Sequence, residues 1–151
     1  MKIFDCTTFY NEKMMMDVRF NVLDQYVSKF IVVESTFSHS GKKKELNFNI
    51  DDYPKFKDKI IYLVIDHEPI ELIKKENLEL DSVSKRLNSL KRIEQSYNYM
   101  TKGIKDASDD DLIMLSDNDE IPDLSKLNLD KIRNNFVIFE QLFFYYKFNL
   151  L

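Results

Sequence analysis

Apolar residues along this chain fall either in short unbroken runs or at helical spacing, and the two patterns take turns. Lys2–Cys6 opens as a short strand that ends in polar residues. Met16, Phe20, Leu23 and Val27 then recur at spacings of four, three and four, which is one face of a helix running from Asn11-Glu12 to Val27. Phe30-Ile31-Val32-Val33 and Ile60-Ile61-Tyr62-Leu63-Val64-Ile65 are continuous β-branched and aromatic runs, the pattern of strands covered on both faces. Between them, residues 37–57 hold serines, Gly41, a lysine run and Pro54, and read as a long loop with one short helix. Val83, Leu87, Leu90, Ile93, Tyr97, Met100 and Ile104 predict a long amphipathic helix that ends near Gly103. Leu112–Leu115 is a fourth buried strand. Pro122 suits the first turn of a short helix with Leu124, Leu127 and Ile132 inward, and Phe136–Phe148 is extended and aromatic. Strands alternating with helices predict a single α/β domain with a mostly parallel sheet and flanking helices.

Composition narrows the function classes. The 151 residues fit one domain. Lys plus Arg is 22 against 26 for Asp plus Glu, and that sign gives no support to a general nucleic-acid binder, which needs a basic face. No apolar run approaches the roughly 20 residues of a membrane span, and Met1-Lys2 leads straight into Ile3-Phe4 with no signal-like segment. The expectation is a soluble, cytoplasmic protein. Cys6 is the single cysteine, which excludes an internal disulfide and a cysteine metal cluster. Glycine occurs only at Gly41 and Gly103, so neither a G-x-G-x-x-G turn nor a P-loop is present. A nucleotide bound here would have its phosphates held another way, and a metal is the obvious substitute.

Ligands of open α/β sheets sit beyond the carboxyl ends of the strands. Three predicted strands end in acids: Val33 before Glu34, Ile65 before Asp66, and Leu115 before Asp117 and Asp119. In extended backbone, residues two apart project to the same side, which would let Asp117 and Asp119 reach one Mg²⁺ or Mn²⁺. Such cations take one or two carboxylates together with substrate phosphates. A calcium loop does not fit, because Pro122 and Asn128 stand where glycine and glutamate are needed.

The blocks Lys2-Ile3-Phe4-Asp5-Cys6, Phe9-Tyr10-Asn11-Glu12, Asp17-Val18-Arg19-Phe20-Asn21 and Phe30-Ile31-Val32-Val33-Glu34-Ser35 come in order along the chain. Ser38-His39-Ser40-Gly41-Lys42, Phe56-Lys57-Asp58-Lys59-Ile60-Ile61 and Asp111-Leu112-Ile113-Met114-Leu115-Ser116-Asp117-Asn118-Asp119-Glu120-Ile121-Pro122 follow. Together they resemble glycosyltransferase family 17, which includes the β-1,4-mannosyl-glycoprotein β-1,4-N-acetylglucosaminyltransferases. The resemblance implies a GT-A fold and a UDP-sugar donor, with N-acetylglucosamine as the sugar and a glycan as acceptor. It places Asp117 and Asp119 at the metal, Glu120 beside the reacting sugar, and Phe9, Asn11, Glu12, Glu34 and Ser35 around the nucleoside. A Gln-Arg pair expected before the fourth strand has no counterpart in Glu94-Gln95-Ser96-Tyr97-Asn98, which leaves Arg92 as the alternative. It also implies that the chain is an N-terminal piece, with the general base and most acceptor contacts in a following half.

Two other readings stand beside the transferase: a nucleotide-sugar-binding module without turnover, and a metal-dependent phosphoesterase. His39, His67 and the run Lys42-Lys43-Lys44 are expected on the surface, and Asp109-Asp110-Asp111 in a turn at the far end of the sheet.

Overall fold

The computed structural model describes residues 1–76, 78–128, 132 and 136–142. Its elements, in chain order, are β1 (Ile3–Thr8), α1 (Lys13–Leu23), β2 (Lys29–Ser35), β3 (Ile60–Ile65), α2 (Ser82–Met100) and β4 (Leu112–Leu115). Single 3-10 turns form at Ile50–Asp52, Lys57–Lys59 and Leu124–Lys126. The four strands make one parallel sheet in the order β3-β2-β1-β4, so the α/β expectation holds.

Alternation along the strands builds two cores. Ile3, Phe30 and Val32 pack with Met16, Phe20 and Leu23 of α1 and with Phe48, Tyr53 and Phe56 from the long loop. Phe4, Cys6, Ile31, Val33 and Ile65 face the other way and pack with Met100 of α2. Aromatic rings knit the first core: Phe20 lies 4.7 Å from Phe30 and 5.1 Å from Tyr53, centroid to centroid. Each such side chain fully buried is worth about 1.5–3 kcal/mol relative to exposure. Burial pushes the Cys6 thiol up to about 12, so it stays a protonated core residue. Among the described residues no helix is long and apolar enough to cross a membrane.

Two expectations about buried faces need correction. The apolar stripe read for the long helix is exposed in its first half, at Val83, Leu87 and Leu90. The inward face carries Ser84, Asn88, Ser96 and Met100, spaced four or eight residues apart and therefore on one side. Its polar members can be buried because they are partnered. Asn88 accepts from the Ile73 amide at 2.8 Å and donates to the Ile73 carbonyl at 2.9 Å, while Ser84 bonds to the helix-capping Asp81. The turn after α2 comes so close to the sheet that a Cβ on Gly103 would stand 2.7 Å from Ile31 Cγ2.

The second correction concerns β4. It is an edge strand, and only Met114 is buried, while Ile113 and Leu115 are exposed. Residues Phe136–Leu142 lie along the groove beside it without forming a strand. The remainder of the predicted aromatic strand, 143–148, lies outside the described residues.

Candidate active site

The chain winds from β1 outward to β2 and β3, then returns to place β4 on the other side of β1. This reversal opens a crevice at the carboxyl ends of β1 and β4, where open parallel sheets bind ligands. A cleft of about 650 Å³ lies there, lined by Thr8 to Tyr10 at the end of β1, Ser35 at the end of β2, Arg92 and Ser96 of α2, and Asp117 to Asp119 after β4.

Asp117 and Asp119 both reach the cleft, but by a turn rather than by extended backbone. The chain leaves β4 at Leu115 and turns at Asn118-Asp119. The Glu120 amide donates to the Asp117 carbonyl at 3.1 Å, and the Asp117 amide donates to Glu120 Oε2 at 3.3 Å. Tyr97 of α2 donates its hydroxyl to Asp117 Oδ1 at 3.2 Å. Burial raises the Tyr97 pKa, and the Asp117 charge, that hydrogen bond and the Glu120 charge raise it further. The phenol therefore remains a donor. Asn118, between the two aspartates, is 7% exposed, and neither its Nδ2 nor its Oδ1 has a hydrogen-bond partner among the described residues.

Beneath this turn lies Arg19 of α1, fully buried. Its Nε and Nη2 donate to the two carboxylate oxygens of Asp5 on β1 at 2.8 and 2.7 Å. Nη2 also donates to Ser116 Oγ at 2.7 Å. Nη1 donates to the carbonyls of Asp117, Asn118 and Glu120 at 2.8, 3.2 and 3.3 Å. Sequence reasoning gave Arg19 no partner, yet a signal existed. Arg19 lies three residues after Met16 on the helix's apolar face, and Asp5 interrupts an otherwise apolar strand.

The other predicted residues divide. Phe9, Glu12 and Ser35 line the cleft; Asn11 does not, and its amide donates to Glu12 Oε2 at 3.0 Å, as that of Tyr10 does at 2.9 Å. Glu120 does not line the cleft and faces the groove along β4.

Glu34 is the clearest departure. Its side chain is fully buried, and its carboxylate already accepts from Lys44 Nζ at 2.5 Å, the Asn47 amide at 2.8 Å, the Phe48 amide at 3.0 Å and the Tyr62 hydroxyl at 2.8 Å. A carboxylate has about four acceptor positions. Glu34 therefore has none left for a ribose or a uracil, and it fastens the loop after β2 to the sheet instead. Asp66 is exposed, pairs with His67 at 3.0 Å and lies outside the cleft. Asp111 bonds the amides of Lys2 and Ser108, a turn at the opposite end of the sheet.

The basic side chains of the cleft are both committed. Lys44, read as part of a solvated run, pairs with Glu34. Arg92 grips Glu68 at 2.9 Å through Nη2 and donates to the His39 carbonyl at 3.2 Å. Gly41 has φ of +86° and stands so close to Arg92 that a Cβ there would meet Nη2 at 2.5 Å. The cleft thus presents the carboxylates of Glu12, Asp117 and Asp119, and its lysine and arginine are both paired. No group of three or more His, Cys, Asp or Glu that could hold a metal forms among them, so an all-protein cage is not built. A pair of carboxylates open to a cleft does fit a Mg²⁺ or Mn²⁺ that completes its shell with phosphate and water oxygens.

Open parallel sheets of this kind bind ligands at the switch point, but the fold alone does not say which chemistry is done there. The sequence model of glycosyltransferase family 17 matches residues 1–149. The chain belongs to that family and is a glycosyltransferase by membership, with a sugar donor and an acceptor as its partners. No curated protein matches the chain, and no solved structure does.

Proposed function

We propose that the protein binds a UDP-sugar, with UDP-N-acetylglucosamine as donor, through a Mn²⁺ or Mg²⁺ shared between the diphosphate and Asp117 and Asp119, and passes the sugar to a glycan acceptor. The charge balance of the cleft carries this reading. A diphosphate entering beside Asp117 and Asp119 meets two like charges, and Lys44 and Arg92 are already spent on Glu34 and Glu68. Without a cation the approach is repulsive; with one, the carboxylates become ligands. When bound, the cation stabilises the departing diphosphate as a Lewis acid.

The chain's own residues hold the ends of the donor. Phe9 and Ser35, at the ends of β1 and β2, border the nucleoside, and Glu12 lies beside them. Glu120, across the turn, faces the groove where the sugar and its acceptor would meet. The choice of N-acetylglucosamine rests on the family resemblance alone, and Glu34 has no part in reading the base.

Titration calorimetry of UDP with Mn²⁺, and again with excess chelator, tests the metal. Binding that disappears with chelator is expected, and binding that ignores it overturns the proposal. Turnover with UDP-N-acetylglucosamine against UDP-glucose, on a mannose-containing glycan, then tests the sugar.

A further inference from the structure

We infer that Arg19 and Asp5 are positioning residues that set the Asp117–Glu120 turn before any ligand arrives. A guanidinium has five N–H donors in a rigid fork. Here two reach Asp5, and the remaining three go to Ser116 Oγ and to the inward-facing carbonyls of Asp117, Asn118 and Glu120, the last sharing a donor. Every donor is therefore used, and more than half of them hold one turn. The elements joined are distant in sequence: Arg19 to Asp117 spans 98 residues.

Stability alone does not explain such a pair. Taking two charges out of water costs several kcal/mol per ion, and well-packed apolar side chains of like volume often serve a fold equally well. Asp5 and Arg19 lie in the α1-facing core, beside Ile3, Met16 and Phe20, where apolar residues would be the ordinary choice. What an apolar pair could not do is bind three carbonyls at once. By drawing those carbonyls inward, Arg19 makes the turn tight and leaves both aspartates exposed at the cleft. A cation then meets ligands already in place, so little ordering entropy is lost on binding. Lysine could not substitute, because its three tetrahedral donors do not match a planar array of carbonyls and a carboxylate.

This inference rests on the proposed metal and diphosphate site, and a two-part experiment separates the two. The double variant Asp5→Leu/Arg19→Met replaces the ion pair by apolar groups and is expected to fold with a lowered thermal midpoint, because the turn carbonyls lose their donor. Arg19→Lys, which keeps the charge and loses the fork, carries the same measurements. The first measurement uses no ligand: hydrogen exchange at the amides of Ser116, Asp117 and Glu120. The second is Mn²⁺-dependent UDP affinity. In both variants the three amides are expected to exchange at least about tenfold faster, with β1–β3 unchanged, and affinity to fall by about tenfold or more, the equivalent of about 1.4 kcal/mol. Unchanged exchange in these amides overturns the inference. So does faster exchange accompanied by UDP affinity within about twofold of the parent, since the turn would then be held to no purpose. A parent that binds no UDP with Mn²⁺ overturns the metal site instead, while the exchange measurement still decides whether Arg19 holds the turn.

Discussion

Glu34 and Asp117 look alike in the sequence, each an acid just past a buried strand, yet the molecule uses them in opposite ways. Glu34 is enclosed by four donors, and its backbone continues as β2. At Asp117 the backbone carbonyl is bound from below by Arg19, while the carboxylate stands exposed with one long bond from Tyr97. The difference lies in what the neighbouring chain supplies. After β2 a long loop folds back and offers amides and Lys44. After β4 the turn is tied by its own carbonyls, which frees the side chains. An acid at a strand end becomes a fastening where donors converge on it, and stays open where they converge on the backbone beneath it.

The largest effect that could break this contrast is expected at Glu34. Glu34→Ala leaves Lys44, two amides and the Tyr62 hydroxyl without their acceptor. Removing one partner of a buried pair costs about 3–5 kcal/mol, so urea or thermal unfolding should show a large loss. A variant as stable as the parent, with UDP now bound no more tightly than CDP, would restore the nucleoside role to Glu34. Asp119→Ala should do the reverse. Asp119 is exposed and makes no side-chain hydrogen bond among the described residues, so stability should stay within about 0.5 kcal/mol of the parent. Mn²⁺-dependent UDP binding should be lost, and retention of chelator-sensitive binding would remove Asp119 from the metal.

How much of this was legible depends on which physical signal each feature leaves. β3 begins and ends at Ile60 and Ile65 as the apolar run does, because a strand covered on both sides writes itself as unbroken hydrophobicity. The extent of α2 is legible, but the predicted apolar stripe faces inward only in its second half, at Tyr97 and Met100. The inward face is polar at Ser84, Asn88 and Ser96, and those residues are admitted by partners such as Ile73 and Asp81 that no periodicity reveals. The place of the two aspartates at the cleft is legible from Asp-x-Asp after a strand, though they reach it by a turn and not by extended backbone. Arg19 was missed because its partners lie on β1 and beyond β4, contacts made only by the fold. The fate of Glu34 was hidden for the same reason, since its donors come from 10 to 28 residues away.

A smaller effect sharpens the comparison through its two tyrosines. Tyr62 donates to Glu34 at 2.8 Å, and burial, the hydrogen bond to Glu34 and the Glu34 charge raise its pKa far above the usual phenol range. A phenol whose folded pKa is raised stabilises the fold fully below its unfolded value of about 10, and that contribution is lost as pH climbs toward the folded value. The parent should therefore lose stability above about pH 10. Tyr62→Phe should cost about 2 kcal/mol at neutral pH, the scale of a hydrogen bond to a charged group, and its alkaline decline should be shallower. An alkaline limb identical to the parent's would show that the Tyr62–Glu34 bond contributes nothing.

The smallest effect is expected at Tyr97, and its size decides the contrast. Tyr97 also donates to a strand-end acid, but the bond is 3.2 Å long and exposed, and Asp117 is held in place by its backbone carbonyl rather than by this contact. Solvent replaces an exposed donor at little cost, so Tyr97→Phe should change stability by less than about 0.5 kcal/mol. Its effect on Mn²⁺-dependent UDP affinity should be modest, within about threefold, or about 0.7 kcal/mol, because the freed carboxylate oxygen remains available to the cation. The paired measurement is thermal unfolding of Tyr62→Phe and Tyr97→Phe side by side. If Tyr97→Phe destabilises as much as Tyr62→Phe, the Asp117 carboxylate is itself a fastening. The distinction between an acid that holds the fold and an acid that waits for a ligand would then fail at the residue on which it most depends.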